Sequence, residues 1–230
     1  MAAAARQPGG LLIFDCDGVL VDSEVIAAQV LAGVLAGEGL AVDEAYVYRR
    51  FLGRSMDAVR GLLLEDFGYR LSEASLAAIR ERMKARLTGE LTAVPGIPET
   101  LSRLALPKCV ASSSRPERIR LSLQVTSLLD FFEPNIFSAT MVRLGKPAPD
   151  LFLHAAGAMR ATPRACTVIE DSPAGVEAAK RAGMRVFAFT GGAHAGRSGL
   201  HSTLAALDPD VIFDDMLRLP ELLAEEPETH

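Results

Sequence analysis

Tryptophan is absent from this 230-residue chain, and aromatic residues make up only 6% of it. Proteins that bind single-stranded nucleic acid stack bases on aromatic side chains beside clustered cations. This chain has a net charge of −5, and no run of Lys and Arg in it resembles a phosphate-backbone footprint. We therefore expect no nucleic-acid partner and favour a small molecule.

Long apolar runs and paired cysteines are also missing. No stretch of about 18 apolar residues occurs, so we expect no membrane span. Residues 1–9 lack the apolar middle of a secretory signal, and we predict a disordered leader there. The three cysteines, Cys16, Cys109 and Cys166, cannot all pair. A reduced, cytoplasmic location fits this cysteine usage best.

The order of predicted elements indicates an inserted helical unit. An apolar run at Leu11 to Phe14 predicts a buried strand. Four helical stretches follow without a strand between them, at residues 25–40, 43–51, 55–67 and 72–88, with N-cap candidates at Asp43, Ser55 and Ser72. From Val94 onward, strand-like and helical stretches alternate.

This alternation predicts an α/β fold, with a Rossmann-like, mainly parallel sheet covered by helices on both faces. Because the first strand precedes the helical stretches, those helices form an insertion into the sheet domain. We predict a core of residues 10–22 and 92–230, and a helical-bundle cap domain of residues 23–91.

Asp15 and Asp17 follow the first predicted strand directly, and Gly18 ends the extended pattern. Residues two apart on an extended segment point the same way, so both carboxylates face one small volume. Two carboxylates this close repel each other unless a cation lies between them. The pattern favours a nucleophile and a proton-transfer partner around a divalent metal, and a solvated acidic turn is the alternative.

Further polar residues follow later strands. Ser112 ends one apolar strand, Glu170 and Asp171 end another, and Lys146 lies in a loop after a third. Ligands of open parallel sheets bind beyond the carboxyl ends of the strands, where all of these residues are predicted to lie.

The run from Phe14 to Glu24 resembles the first signature of the haloacid dehalogenase superfamily, in its phosphatase-like D-x-D-G form. Ser112, Lys146 and the pair Glu170-Asp171 resemble the second, third and fourth signatures, in the expected order along the chain. This resemblance covers the whole chain apart from the leader.

The resemblance implies a role for each residue. Asp15 would attack phosphorus and become an aspartyl phosphate, and Asp17 would protonate the leaving oxygen and later deprotonate water. Ser112 would donate its hydroxyl hydrogen to a phosphoryl oxygen. Lys146 would neutralise charge on the phosphoryl group and on Asp15.

The resemblance also implies a Mg²⁺ cofactor. Asp15, Asp171 and the main-chain carbonyl of Asp17 would bind the ion, and Glu170 would hold either the metal's shell or Lys146. An alternative for the acidic pair is that it begins the next helix, with Asp171 or Ser172 as the N-cap before a proline.

The substrate contacts are less tightly defined by the sequence. Among three consecutive serines, Ser112 follows the strand directly, Ser113 is a candidate substrate ligand, and Ser114 is predicted to cap the helix that begins near residue 116. Glu24, near the first hinge, is a candidate substrate contact. Arg54 lies in a Gly-Arg-Ser loop that dips into the active site in cap-bearing relatives, and a solvated arginine is the alternative.

His194 follows a predicted strand and is placed at the rim of the site. The stretches 22–26 and 152–156 resemble the cap-bearing sugar-phosphate phosphatases, including bacterial ones that act on 6-phosphogluconate. The resemblance thus implies a Mg²⁺-dependent phosphomonoesterase for a small phosphorylated metabolite, present as a monomer or weak homodimer. A β-phosphoglucomutase-like isomerase and a non-catalytic binding protein on the same fold remain alternatives.

Overall fold

A computed structural model describes residues 10–225, apart from the side chains of residues 197 and 198. The predicted leader at residues 1–9 lies outside these residues. The sheet strands are β1 (Leu11–Phe14), β2 (Lys108–Ser112), β3 (Ile136–Ser138), β4 (Cys166–Glu170), β5 (Arg185–Phe189) and β6 (Val211–Phe213). The helices are α1 (Glu24–Gly37), α2 (Glu44–Arg50), α3 (Met56–Phe67), α4 (Glu73–Glu90), α5 (Ile97–Arg103), α6 (Pro116–Val125), α7 (Asp150–Ala158), α8 (Pro173–Arg181), α9 (Ala195–Ser198), α10 (Leu200–Ala205) and α11 (Leu219–Ala224).

The six strands form one sheet in the order β3-β2-β1-β4-β5-β6, and every neighbouring pair is parallel. The α/β, Rossmann-like prediction is confirmed. All four residues of the central strand β1 are buried, as expected for a sheet covered on both faces. Phe14, its last residue, stands opposite Val110 of β2 and Ile169 of β4. The chain therefore leaves β1, β2 and β4 at one edge of the sheet.

The first four helices lie between β1 and β2 in the chain. Asp43, Ser55 and Ser72 each accept a hydrogen bond from a backbone N–H in the first turn of the helix that follows, so these three N-cap predictions are confirmed. Within this insert α1 packs against α2 and α4, and α4 also packs against α6 of the sheet part. That residues 23–91 act as a separate cap domain stays a prediction.

The two chain crossings between insert and sheet lie side by side. Val21 forms isolated β-bridges with Asp17 and with Ala93. Val94 N donates to Leu20 O at 3.0 Å. These backbone contacts hold the start and the end of the insert together directly beside the Asp15-Asp17 turn.

Two local predictions differ from the structure. Ser114 does not cap α6: the N-cap residue is Arg115, and its side chain makes no capping hydrogen bond. The short helices α9 and α10 were not predicted from sequence. The three cysteines are buried free thiols. Across residues 10–225, none of the helices has the length and apolar character needed to span a membrane.

Candidate active site

Asp15 directly follows β1, and its carboxylate lies in a buried cluster of ion pairs. Nζ of Lys146 donates to Oδ1 of Asp15 at 2.7 Å and to Oε1 of Glu170 at 2.6 Å. Burial raises the pKa of Asp15 well above its usual value, and Glu170 and Asp171 raise it further, against the opposing effect of Lys146. Burial alone would lower the pKa of Lys146, but the two carboxylates outweigh it and raise this pKa instead. Lys146 is therefore charged, and its positive charge stabilises the ionised form of Asp15.

Glu170 is held by donors on both of its oxygens. Oε1 accepts from Lys146, and Oε2 accepts from N and Oγ of Ser172, at 2.7 and 2.9 Å. A Cβ at Gly175 would lie 1.8 Å from Oε1, so only glycine fits on that face of α8. Of the two roles predicted for Glu170, this geometry favours orienting Lys146. Ser172 also caps α8, with its Oγ accepting from Gly175 N at 3.1 Å.

The Asp17 carboxylate accepts hydrogen bonds from three separate parts of the chain. Oδ1 accepts from Oγ of Ser23 at 2.6 Å and from Nη2 of Arg118 at 2.7 Å. Oδ2 accepts from Oγ of Ser114 at 2.6 Å, and Oγ of Ser112 lies 3.5 Å away. Burial tends to raise the pKa of Asp17, but Arg118 and the two closer hydroxyls outweigh it and lower this pKa.

Sequence reasoning missed Ser114 and Arg118 at this carboxylate. Ser114 was assigned to a helix cap, although its hydroxyl donates to Asp17 instead. Arg118 lies in the first turn of α6, where an arginine is ordinarily solvated. The available signal was the direction of α6, because a helix that follows β2 begins at the carboxyl edge of the sheet, beside the Asp15-Asp17 turn.

Three buried carboxylates lie close enough to share a cation. Ligand atoms of Asp15, Glu170 and Asp171 all lie within 4.8 Å of one another. Burial raises the pKa of Asp171 well above its usual value, and Glu170 raises it further. Lys146 is the buried cation among these three carboxylates. When all three are ionised, its single positive charge does not balance them, and the cluster carries net negative charge. The donor set is all oxygen, which is the set that Mg²⁺ prefers, so these residues fit the ion.

His194 is not at the rim, as the sequence suggested, but buried against Asp171. Its Nε2 lies 3.1 Å from Oδ2 of Asp171. Burial lowers the pKa of His194, against Glu24 and Asp22, which raise it. The loop that carries it is fixed to the insert hinge, since Ala193 N donates to Oδ1 of Asp22 at 2.9 Å. His194 is therefore buried beside the Asp171 carboxylate and is not exposed at the edge of the site.

Gly18 makes room for this arrangement. It has a φ of +82°, and a Cβ there would lie 1.9 Å from Oδ2 of Asp171. Any side chain at this position would be strained by the backbone conformation and would collide with the carboxylate. The glycine of the D-x-D-G run is thus required by the close approach of the first turn to the β4 end.

A cavity of about 1010 Å³ lies between the insert and the sheet edge, and Asp15 and Asp17 open onto it. The insert reaches the sheet part at Gly53, whose carbonyl accepts from Oγ of Ser113 at 2.9 Å. A Cβ at Gly53 would lie 2.2 Å from Oγ of Ser172, so the loop lies directly against the β4 end. The loop therefore encloses the candidate nucleophile on the insert side.

Candidate substrate contacts line this cavity. Ser113, Glu24 and Arg54 all face it. Glu24 is partly buried, and burial, with Asp17 and Asp171, raises its pKa to about 8. Arg54 forms no ion pair within residues 10–225, although it lies beside a cavity that contains acidic groups.

Comparison with protein families identifies the chain. A family model described as haloacid dehalogenase-like hydrolase matches residues 10–183, which is more than half of the sequence. The chain belongs to this hydrolase family. The match begins at the residue before β1 and continues through α8, so it includes every signature residue described above.

Several relatives of this haloacid dehalogenase-like hydrolase are named phosphatases. The chain is 31% identical over 212 residues to the 6-phosphogluconate phosphatase of Escherichia coli strain K12, a match that covers 92% of this chain and 93% of the relative. Hexitol phosphatase A of the same organism is 32% identical over 183 residues, covering 76% of this chain and 81% of the relative. These names support a phosphatase.

A solved structure agrees with the architecture. A haloacid dehalogenase-like protein of unknown function from Agrobacterium tumefaciens is 34% identical, with a TM-score of 0.79, and the match covers 94% of this chain and 98% of that one. The near-complete coverage shows that the insert and the sheet part both belong to the fold of this family.

Proposed function

We propose that this hydrolase is a Mg²⁺-dependent phosphatase of a small phosphorylated metabolite of the sugar-phosphate class. One observation carries the proposal: Asp15, a buried carboxylate 2.7 Å from Nζ of Lys146, lines the cavity between the insert and the sheet edge. An anionic nucleophile cannot approach an anionic phosphate without nearby positive charge, and Lys146 supplies it. The relatives named for 6-phosphogluconate and hexitol phosphates support the substrate class.

The reaction proceeds in two displacements. A carboxylate oxygen of Asp15 forms a bond to phosphorus, the bond from phosphorus to the ester oxygen breaks, and protonated Asp17 gives its proton to that oxygen. Water then attacks phosphorus, the bond from phosphorus to the Asp15 oxygen breaks, and Asp17 takes the proton of the water. Inorganic phosphate leaves, and the Asp15 carboxylate is restored. The negative charge of a bound phosphate beside Asp17 favours the protonated form that the first displacement needs. Ser112, whose Oγ lies 3.5 Å from Oδ2 of Asp17, would donate its hydroxyl hydrogen to a phosphoryl oxygen.

Mg²⁺, when bound, supplies a Lewis acid that neutralises charge on the phosphoryl oxygens. Asp15, Asp171 and the main-chain carbonyl of Asp17 would hold it, while Glu170 keeps Lys146 in place. Loss of one of the carboxylate ligands removes both a ligand and the charge that attracts the ion.

We expect Asp171→Asn to lower the affinity for Mg²⁺ by about 10-fold or more, because Mg²⁺ is held by only one or two protein carboxylates. Isothermal titration of the metal-free protein with MgCl₂ measures this without requiring turnover.

EDTA should abolish wild-type turnover, and Ca²⁺ should inhibit it, since its larger and looser shell misplaces the nucleophile. Turnover that persists in EDTA would contradict the metal assignment.

A screen of phosphorylated metabolites tests the proposed reaction. Inorganic phosphate should be released from a sugar phosphate in the presence of Mg²⁺. Formation of an isomeric sugar phosphate without phosphate release would favour the mutase. Binding of a phosphorylated ligand with no chemistry, under conditions in which the related phosphatases are active, would favour the binding protein.

The cavity is lined by cations that suit an anionic substrate. Six of them form no ion pair within the described part of the chain: Arg54, Arg60, Arg80, Lys84, Arg115 and Arg143. Arg54 is the least exposed of the six, and its loop contacts the sheet edge through Gly53. We therefore propose Arg54 as a contact for a second anionic group of the substrate.

Arg54→Ala is expected to raise KM for a sugar phosphate with a carboxylate or a second phosphate by about 10-fold to 100-fold, the equivalent of one charge-assisted hydrogen bond. KM and kcat for p-nitrophenyl phosphate should hold, because its leaving group has no second anion. Steady-state kinetics on both substrates measure the difference. Arg70→Ala, an exposed insert arginine away from the cavity, is the control. An equal loss on both substrates would assign Arg54 to the structure of the insert.

A further inference from the structure

Arg118 is the one charged donor on Asp17 within the described residues. It reaches from the first turn of α6, and its Nη2 lies 2.7 Å from Oδ1 of Asp17. The Arg118 side chain is 27% exposed and the Asp17 side chain 12%. Nε of Arg118 is buried without a hydrogen-bond partner in residues 10–225. The pair lies on the wall of the cavity that contains Asp15.

We infer that Arg118 is a positioning residue for proton transfer, which fixes the Asp17 carboxylate in the orientation it needs toward the leaving oxygen. This inference rests on the proposed phosphatase function. Of the three close donors to Asp17, Ser23 and Ser114 are neutral hydroxyls with a single hydrogen each, whereas the guanidinium is charged, planar and pre-organised. Without Arg118, Oδ1 would keep only the bond from Ser23.

The contacts of Arg118 argue against one other role, and the leaving-group dependence separates a second. Asp15 already has its buried cation in Lys146, so the nucleophile does not require Arg118 for charge balance. A purely structural ion pair would stabilise the fold but would leave the chemistry of the leaving group unaffected. Arg118 instead contacts the one carboxylate to which the proposed reaction assigns the proton.

Proton donation matters most when the leaving group is a poor one. An alkoxide leaves only with a proton, whereas p-nitrophenolate leaves without help. General acid catalysis contributes about 10² to 10⁴-fold where it is needed. The effect of Arg118 should therefore grow with the basicity of the leaving group, and this dependence separates a positioning role from a structural one.

The test measures kcat/KM for p-nitrophenyl phosphate, phenyl phosphate and an alkyl phosphate with wild type and Arg118→Met. We expect a loss of about 10-fold to 100-fold on the alkyl phosphate, which is less than the full contribution of general acid catalysis because Asp17 itself remains, and less than about threefold on p-nitrophenyl phosphate. Arg118→Lys keeps the charge and should recover part of the loss. Arg86→Met, which removes another arginine–carboxylate pair whose two members do not line the cavity, should leave all three values unchanged.

A double-variant cycle shows whether Arg118 acts through Asp17. In an Asp17→Asn background, Arg118→Met should cause no further loss on phenyl phosphate. Equal losses on all leaving groups, no loss on any, or full additivity with Asp17→Asn would each overturn the inference. If Arg118→Met does not fold, Arg118→Gln is judged by the same criteria. Failure of the proposed function is distinct, since wild type itself would then release no phosphate.

Discussion

Replacing Asp15 by asparagine should lower kcat by about 10⁴-fold or more, which is the scale on which enzymes lose turnover when a nucleophile is removed. Asparagine keeps the size of the side chain and can still accept the hydrogen bond from Nζ of Lys146, but it has no anionic oxygen to attack phosphorus. The readouts are phosphate release from p-nitrophenyl phosphate and from a sugar phosphate. Both should fall together, because the first displacement on either substrate needs the same anionic oxygen of Asp15.

The fold of the Asp15→Asn variant should be retained. Burial and the neighbouring carboxylates hold the pKa of Asp15 above its usual value, so the folded protein disfavours its charge. Removing that charge relieves repulsion with Glu170 and Asp171, and the metal-free melting temperature should be unchanged or higher. Asp130→Asn, at an exposed position, is the matched control. Near-normal turnover by a folded Asp15→Asn variant would exclude the aspartyl-phosphate route.

The signature positions were predictable from sequence because strand ends determine where they lie. β1, β2 and β4 were identified from short apolar runs, and parallel strands place their carboxyl ends at one edge of the sheet. Asp15 and Asp171 directly follow β1 and β4, and Ser112 is the last residue of β2, so their proximity required no knowledge of the helices. Lys146 was predicted to lie at the same edge because its loop follows a strand, and its role came from the resemblance to the family signature.

The residues that sequence reasoning misplaced depend on packing between distant segments. Arg118 reaches Asp17 because α6 begins beside the β1 turn, and 101 residues separate the two along the chain. His194 becomes buried because its loop is fixed to Asp22, 171 residues from Ala193. The helices α9 and α10 were missed because they have four and six residues, and glycines interrupt their pattern. Such short helices form through tertiary contacts rather than through intrinsic propensity.

Lys146→Met is expected to be the most destabilising substitution at this site. Lys146 is 3% exposed, and its Nζ bridges Asp15 and Glu170 at 2.7 and 2.6 Å. Methionine retains much of the apolar stem but loses the ammonium group, whose Nζ lies 4.9 Å from the centre of the Phe152 ring, and it leaves two buried carboxylates without their cation. Removing one partner of a buried ion pair costs about 3–5 kcal/mol, so the free energy of unfolding should fall by about that amount and turnover should be lost. Urea denaturation of the metal-free protein measures the change.

The pH dependence identifies the cause of this instability. The pKa of Asp15 is already raised by burial, and loss of Lys146 raises it further, so the folded variant binds more protons than the unfolded chain. Its stability should therefore rise as the pH falls through that raised pKa, and the deficit relative to wild type should shrink. Adding Asp15→Asn to Lys146→Met should recover part of the loss at neutral pH. By contrast, Arg120→Met breaks an exposed pair with Glu133 and should cost about 0–1 kcal/mol. A Lys146→Met deficit that is small, or that does not change with pH, would mean that the buried carboxylates do not depend on this lysine for their charge.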